Sequence, residues 1–262
     1  MVAIDSLRLS EIMRKNRAAL ATVANWIADA DYEHSIFHYG LPRHIRPFID
    51  RPIGEATTYS DLIAYFADLL PGPVRYLEIG VSVGKNFFQM LHHLKDADLT
   101  GLDIEDINPV LERFLEKGGT TDWDTMPGSL RKKPSCLTDY AFQPNGNRVR
   151  YIAGDVFDGN TWAKLAGGTF NLVFSDAYHS ADAIAREWER LKTLDLLDRR
   201  AFAMLWDDLD TPEMRAAFAD ISREMRERFS IPPDDTGIGM CRGWIGPYEP
   251  PHAVGLVYKR GP

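Results

Sequence analysis

The chain has only two cysteines, Cys136 and Cys241, and neither is flanked by residues at metal-ligand spacing. This excludes a disulfide framework and a cysteine-bound metal, so both thiols are expected reduced, in a cytoplasmic protein. Long hydrophobic runs are also missing. Nothing approaches the roughly 20 apolar residues of a membrane span, and the opening stretch MVAIDSLRLSEIMRKNR has no continuous apolar core of the leader-peptide kind. Nor is there a basic excess. The formal net charge is −8, which argues against bulk nucleic-acid binding, because that needs a positive field to displace counterions. The short basic cluster RKK at 131–133 reads as a solvated loop. No internal repeat is visible. What is left is a small molecule as partner, with no nucleic acid and no membrane; assembly into a homo-oligomer stays open.

What is present is an ordinary globular composition, 45% apolar and 26% charged over 262 residues, enough for one large domain with a modest appendage. Residues 10–30 place Ile12, Met13, Leu20, Val23 and Ile27 at helical spacing. Residues 31–58 mix aromatics, histidines, arginines and three prolines without a period, and read as an irregular lid or linker. Residues 59–70 read as a helix closed by Pro71-Gly72-Pro73. Strands and helices then alternate. Strands are expected over 74–79, 98–103, 148–153, 170–176 and 201–208, with helices over 84–95, about 109–117 and 160–166. A further helix buries Ala181, Ile184, Trp188 and Leu191, and another opens at Thr211-Pro212 with Met214, Phe218, Ile221 and Met225 on one face. Two strand-like runs follow, 240–246 and 252–259, joined by a Pro-rich turn.

This alternation predicts an α/β fold: a Rossmann-like, doubly wound, mainly parallel sheet with an antiparallel C-terminal edge. Residues 71–262 would form that domain and 1–70 an N-terminal helical and lid extension. An insertion over 118–147, rich in Gly, Pro, Thr and Asp, is expected to be a functional or disordered loop. Ligands of such sheets sit beyond the carboxyl ends of the strands, near the switch point.

The stretch Glu78-Ile79-Gly80-Val81-Ser82-Val83-Gly84 lies at the first of those ends. A dinucleotide site would read G-x-G-x-x-G, and an acid two residues before the first glycine is an awkward neighbour for pyrophosphate. It suits a ligand carrying an ammonium and a sulfonium. The pattern resembles the first motif of class I S-adenosylmethionine-dependent methyltransferases, with Ser82 in place of the middle glycine. Asp103 ends the second strand, Gly154-Asp155 the third and Asp176 the fourth. The resemblance, which covers roughly residues 72–210, implies S-adenosylmethionine as cofactor. On it, Glu78, Gly80, Ser82, Gly84, Gly154 and Asp176 line the cofactor site, Asp103 meets the ribose hydroxyls and Asp155 the adenine amino group.

Two further stretches follow neighbouring parallel strands: Ser175-Asp176-Ala177-Tyr178-His179 and Trp206-Asp207-Asp208. Three unpaired carboxylates in one crevice repel one another, and a divalent cation relieves that. Oxygen ligands with room for water or substrate suit Mg²⁺ or another hard ion. The constellation is similar to metal-dependent O-methyltransferases that act on sugar hydroxyls of bacterial natural products. The resemblance makes Asp176, Asp207 and Asp208 metal ligands, gives Asp176 a catalytic part through that ion, and makes His179 the general base. Ala177-Tyr178 stand where that group favours Gly-Ser. In the bland alternative, Asp207 and Asp208 cap the helix at 211 and His179-Ser180 start the helix after the fourth strand. Phe37, His38, Tyr39, His44 and Arg46 of the lid, the 118–147 insertion, Trp244 and Tyr248 are candidates for the acceptor side, or ordinary loop and core residues. Three other readings stay open: a metal-independent N- or O-methyltransferase, a nicotinamide-dependent oxidoreductase, and a non-enzymatic cofactor-binding protein.

Overall fold

The computed structural model describes residues 3–24, 35–116, 137–142, 145–242 and 250–261. Its centre is an eight-stranded sheet. In chain order the strands are β1 (Arg75–Ile79), β2 (Asp98–Asp103), β3 (Leu137–Phe142), β4 (Asn147–Ala153), β5 (Leu172–Ser175), β6 (Phe202–Trp206), β7 (Thr236–Cys241) and β8 (His252–Lys259). They lie in the order β3-β4-β2-β1-β5-β6-β8-β7. The five central strands, β4-β2-β1-β5-β6, are parallel, and β8, β7 and β3 pair antiparallel. The chain runs outward from β1 through β2 and then returns to β5 on the other side. The crevice between β1 and β5 is therefore the switch point where ligands collect.

Alternation within each strand sends side chains to two buried faces, which is why the central strands read as continuous apolar runs. Tyr76, Leu172, Phe174, Ala203 and Leu205 face one core; Leu77, Ile79, Val173, Met204 and Trp206 face the other. The first core is covered by α1 (Ser6–Ala24), α2 (Tyr59–Ala67), α3 (Lys85–His93) and α4 (Pro109–Glu116). The second is covered by α5 (Gly159–Ala163), α6 (Ala181–Thr193) and α7 (Pro212–Phe229). Ile12, Leu20 and Val23 of α1 share the core of Phe88 and Phe114. Asp61 is fully buried and fastens the first two helices together. It completes the capping box of α2 with Thr58, and it accepts from Asn16 (2.8 Å) and from Arg17 (2.8 Å).

Two expectations need correction. The 118–147 segment is not loop throughout, because 137–142 form an antiparallel edge strand on β4; residues 117–136 and 143–144 lie outside the described residues. The penultimate strand, Thr236–Cys241, starts ahead of the expected 240, since register with β8 (Gly239 opposite Val254) draws the glycine-rich TGIGMC into the sheet; residues 243–249 lie outside the described residues. Ile27, Cys136, Trp244 and Tyr248 lie outside the described residues. Cys241 is free and buried, and burial pushes its thiol up to about 12. Among the described residues no helix is long and apolar enough to cross a membrane.

Candidate functional site

A cavity of about 730 Å³ opens at the carboxyl ends of the parallel strands. Its size falls in the range of about 300–1,000 Å³ usual for small-molecule sites. Gly80, Ser82, Asp103 and Asp155 line one part, and Asp176, His179, Asp207 and Asp208 line another. Of the residues singled out in the sequence, Glu78, Gly84 and Gly154 stay out of the wall.

Local geometry explains each position. Gly80 has φ +87°, and a Cβ there would sit 2.2 Å from the carbonyl oxygen of Asp176. Only glycine lets the loop after β1 pass under the loop after β5. Gly84, at φ +81°, is the N-cap of α3, and its missing Cβ makes room for Leu111 Cδ2 (2.6 Å) rather than for the cavity. Gly154 makes room in the same way for Thr161 of α5. The amides of Val81 and Ser82 both donate to Asp103 Oδ2 (2.8 and 2.7 Å), while Asp103 Oδ1 accepts from the Glu105 amide (2.8 Å). Asp103 thus shapes the glycine loop as well as facing the cavity. Asp155 Oδ1 accepts from the Phe157 amide (2.8 Å).

Glu78 lies beneath the loop, 1% exposed. One oxygen accepts from Tyr76 Oη (2.6 Å) and Asn86 Nδ2 (2.9 Å). Burial pushes its pKa up to about 8, against the pull of these hydrogen bonds.

The acids at the other end lie on neighbouring strands, with Ser175 opposite Trp206 in register. The bland alternative holds for Ser180, whose Oγ caps α6 by accepting from Ala183 N (3.2 Å), whereas α7 is capped by Thr211 Oγ1, which accepts from Met214 N (3.1 Å). Capping therefore does not account for His179, Asp207 or Asp208. His179 lies between two carboxylates, with Nδ1 2.6 Å from Asp208 Oδ2 and Nε2 3.6 Å from Asp176 Oδ1. Asp208 adopts φ +54° and takes a second imidazole, His252 Nδ1, at 2.6 Å. Burial alone would raise the Asp208 pKa, but the two histidines hold it well below the usual carboxylate range. The hydrogen bond to Asp208 in turn raises His179. Asp207 is the opposite case. Its side chain is 4% exposed, Oδ1 has no hydrogen-bond partner among the described residues, and burial beside Asp208 pushes it up to about 7. Asp176 is raised too, by burial and by the charges of Asp207 and Asp208.

Two trios bring one donor atom each within 4.8 Å of one another: Asp176, His179 and Asp208; and Asp207, Asp208 and His252. The donor set is therefore mixed oxygen and nitrogen rather than oxygen alone. A buried carboxylate oxygen without a donor, next to two further acids, is a place that a divalent cation fits.

Several wall residues carry no clear signal in the sequence. His252 is an isolated histidine at the start of β8, and only the antiparallel return of that strand onto β6 brings it to Asp208. Lys85 follows the glycine loop and donates to the Tyr39 carbonyl (2.8 Å), tying the lid to α3. Among the described residues lining the cavity it is the only Lys or Arg. Tyr39 and Tyr59 reach the wall, and Ile104 and Phe157 offer exposed apolar surface at its rim. Of the other lid candidates, Phe37 and His38 are buried, Arg46 donates to the Leu41 carbonyl (2.7 Å), and His44 is not in the wall.

No family model matches the chain, and no curated protein matches it. Among solved structures, it is similar to a putative O-methyltransferase from Klebsiella pneumoniae, at 14% identity and TM-score 0.42, covering 99% of this chain and 93% of that one. A cofactor-bound Rv0187 from MTB is 17% identical with TM-score 0.43, over 97% and 90% of the two chains. The O-methyltransferase TomG from Streptomyces achromogenes, solved with SAM, is 16% identical with TM-score 0.42, over 99% and 92%. Likeness at this level concerns the fold and assigns no activity to this chain.

Proposed function

We propose that the protein is an S-adenosylmethionine-dependent methyltransferase that methylates a hydroxyl of a small metabolite or natural product with the help of a divalent cation. One observation carries the reading. A single cavity at the switch point is walled by the glycine loop and two strand-end acids on one side, and by three acids with a histidine on the other. Its wall carries Asp103, Glu105, Asp155, Asp176, Asp207 and Asp208 against a single lysine. That balance favours a cationic ligand and disfavours the pyrophosphate of a nicotinamide dinucleotide.

The cofactor supplies a methyl group made electrophilic by its sulfonium. On this reading, Asp103 and Asp155 receive the ribose and the base, and the apolar surfaces of Ile104 and Phe157 take the faces of the adenine. Asp176, Asp207 and Asp208 would hold the cation, which when bound orients the acceptor hydroxyl and lowers its pKa. Asp208 accepts from His179 Nδ1 and leaves Nε2 to take the proton of the acceptor hydroxyl. That same His179–Asp208 pair also supports a second reading, in which the histidine works without a metal.

Calorimetry with S-adenosylhomocysteine, NAD and Mg²⁺ tests the proposal. One site per chain for the nucleoside and none for NAD is expected; heat from NAD alone would sink it. Asp207→Ala should leave nucleoside affinity nearly intact while removing turnover, and excess chelator should mimic it. Full activity in chelator would leave the metal-independent reading.

A further inference from the structure

We infer that His252 is a nitrogen ligand of the divalent cation, so that the site prefers an ion that accepts imidazole, such as Mn²⁺, over Mg²⁺. This rests on the metal reading of the same cavity. His252 comes from β8, outside the two acidic stretches, yet its Nδ1 lies 2.6 Å from Asp208 Oδ1 and 4.0 Å from Asp207 Oδ2. Donors on neighbouring corners of an octahedron with bonds of about 2.1–2.2 Å sit roughly 3 Å apart, and those on opposite corners about 4.3 Å. The His252–Asp207 separation of 4.0 Å already falls in that range, and the His252–Asp208 separation of 2.6 Å falls short of it, so an opening of that hydrogen bond by about 0.4 Å would admit an ion. A second, independent observation points the same way. Asp207 lines the cavity with its side chain 4% exposed and its Oδ1 without a donor among the described residues, so the trio contains a buried carboxylate oxygen aimed into the site with its lone pairs unused.

Placement of the ring is not left to chance. The edge of Tyr59 meets it at 82° with 6.4 Å between centroids, and Tyr59 is itself stacked on Phe174 of β5 (5.2 Å). His252 is thus held between Tyr59, at the start of α2, and the acids. Mg²⁺ takes oxygen donors and keeps its waters, whereas imidazole suits later first-row ions, and Mn²⁺ accepts both. A nitrogen donor beside Asp207 and Asp208 would therefore change which metal is bound, not only how tightly.

The test is a Mn²⁺ titration of the full chain followed by electron paramagnetic resonance, with pulsed detection of ¹⁴N coupling and Mg²⁺ as competitor. The inference expects ¹⁴N coupling on bound Mn²⁺ that survives His179→Ala and vanishes in His252→Ala. It also expects the preference for Mn²⁺ over Mg²⁺ to fall by roughly tenfold or more in the second variant. His252→Gln, which keeps a donor for Asp208, guards against misfolding and should lose the coupling in the same way. Bound Mn²⁺ without ¹⁴N coupling, or coupling lost only in His179→Ala, overturns the role of His252 while leaving the metal in place. Absence of Mn²⁺ binding by the folded wild type overturns the metal reading itself.

Discussion

Glu78→Gln gives the most direct measure of what the acid beneath the glycine loop costs. Glu78 is 1% exposed and receives hydrogen bonds from Tyr76 and Asn86, yet burial raises its pKa from 4.5 to about 8. The sign follows from linkage. A carboxyl whose folded pKa is raised stabilises the fold fully below 4.5, and that contribution is lost as pH rises through about 8. Between pH 5.5 and 9 the wild type crosses about 2.5 units of that window, at roughly 1.4 kcal/mol each, so it should lose about 3 kcal/mol on account of Glu78. Glutamine carries no such titration. Its amide resembles the protonated acid that the wild type carries at pH 5.5: its oxygen can accept from Tyr76 and Asn86 as Oε2 does, and its NH₂ stands where the acid has its hydroxyl. The variant should therefore be close to the wild type in stability at pH 5.5 and the more stable protein, by about 3 kcal/mol, at pH 9. Other buried acids titrate in both proteins and cancel in the comparison. For a chain of this length about 3 kcal/mol corresponds to roughly 6 °C in Tm. Thermal unfolding of both proteins without metal or nucleoside, at five pH values, would measure it. Parallel curves across the window would refute the reasoning, since they would mean that Glu78 ionises as easily in the fold as in the unfolded chain.

Gly80→Ala should destabilise by roughly 3 kcal/mol or more, because its Cβ meets a backbone carbonyl at 2.2 Å; Gly84→Ala should cost clearly less, because Leu111 can turn aside. Equal urea midpoints for the two variants would contradict this. In rate measurements His179→Ala should lose about 10²–10⁴-fold. The acid limb of the wild-type profile should lie above the usual 6.5, since Asp208 favours the protonated ring, and Asp208→Asn should move it to lower pH. A limb that stays put in Asp208→Asn would remove His179 from the proton transfer. The donor should lose affinity with added salt more steeply than the demethylated product, because only the donor brings a sulfonium charge to the acidic wall. Equal salt slopes in calorimetry would count against a charge-selective wall.

Much of the fold was legible because its central strands are buried on both faces and so appear as uninterrupted apolar runs between helical periods. Asp103, Asp155, Asp176 and Asp207 could be read because a residue at a strand end is defined by local sequence. The edges were harder. The two glycines of TGIGMC leave no apolar alternation before Met240, so the expected strand starts at 240, and only pairing with β8 extends it back to Thr236. LTDYAF lies inside a segment whose composition suggests loop, and its partner is β4, later in the chain. His252 was illegible for the same reason, since its meeting with Asp208 depends on strand register over a separation of 44 residues. Glu78, Gly84 and Gly154 were legible as special positions, but not for what surrounds them. A glycine required by Leu111 or Thr161 looks in sequence like one required by a ligand.

The buried acids connect the energetics to the proposed chemistry. Asp176, Asp207 and Glu78 all have raised pKa values, so each is a group that the isolated fold accommodates poorly when charged. A protein keeps such groups together when something else neutralises them. Asp176 is the hinge of the arrangement: its backbone lies against Gly80, while its carboxylate faces His179 and the Asp207–Asp208 pair. If the proposed function holds, a cation held by the pair would lower the negative field at Asp176, and the sulfonium of the cofactor would add to that effect. Methyl transfer converts that sulfonium into a neutral thioether and removes the charge the wall was attracting. On the proposed reading, the same acids that draw in the donor would then hold the product less tightly, so one set of carboxylates would favour both binding before the reaction and release after it.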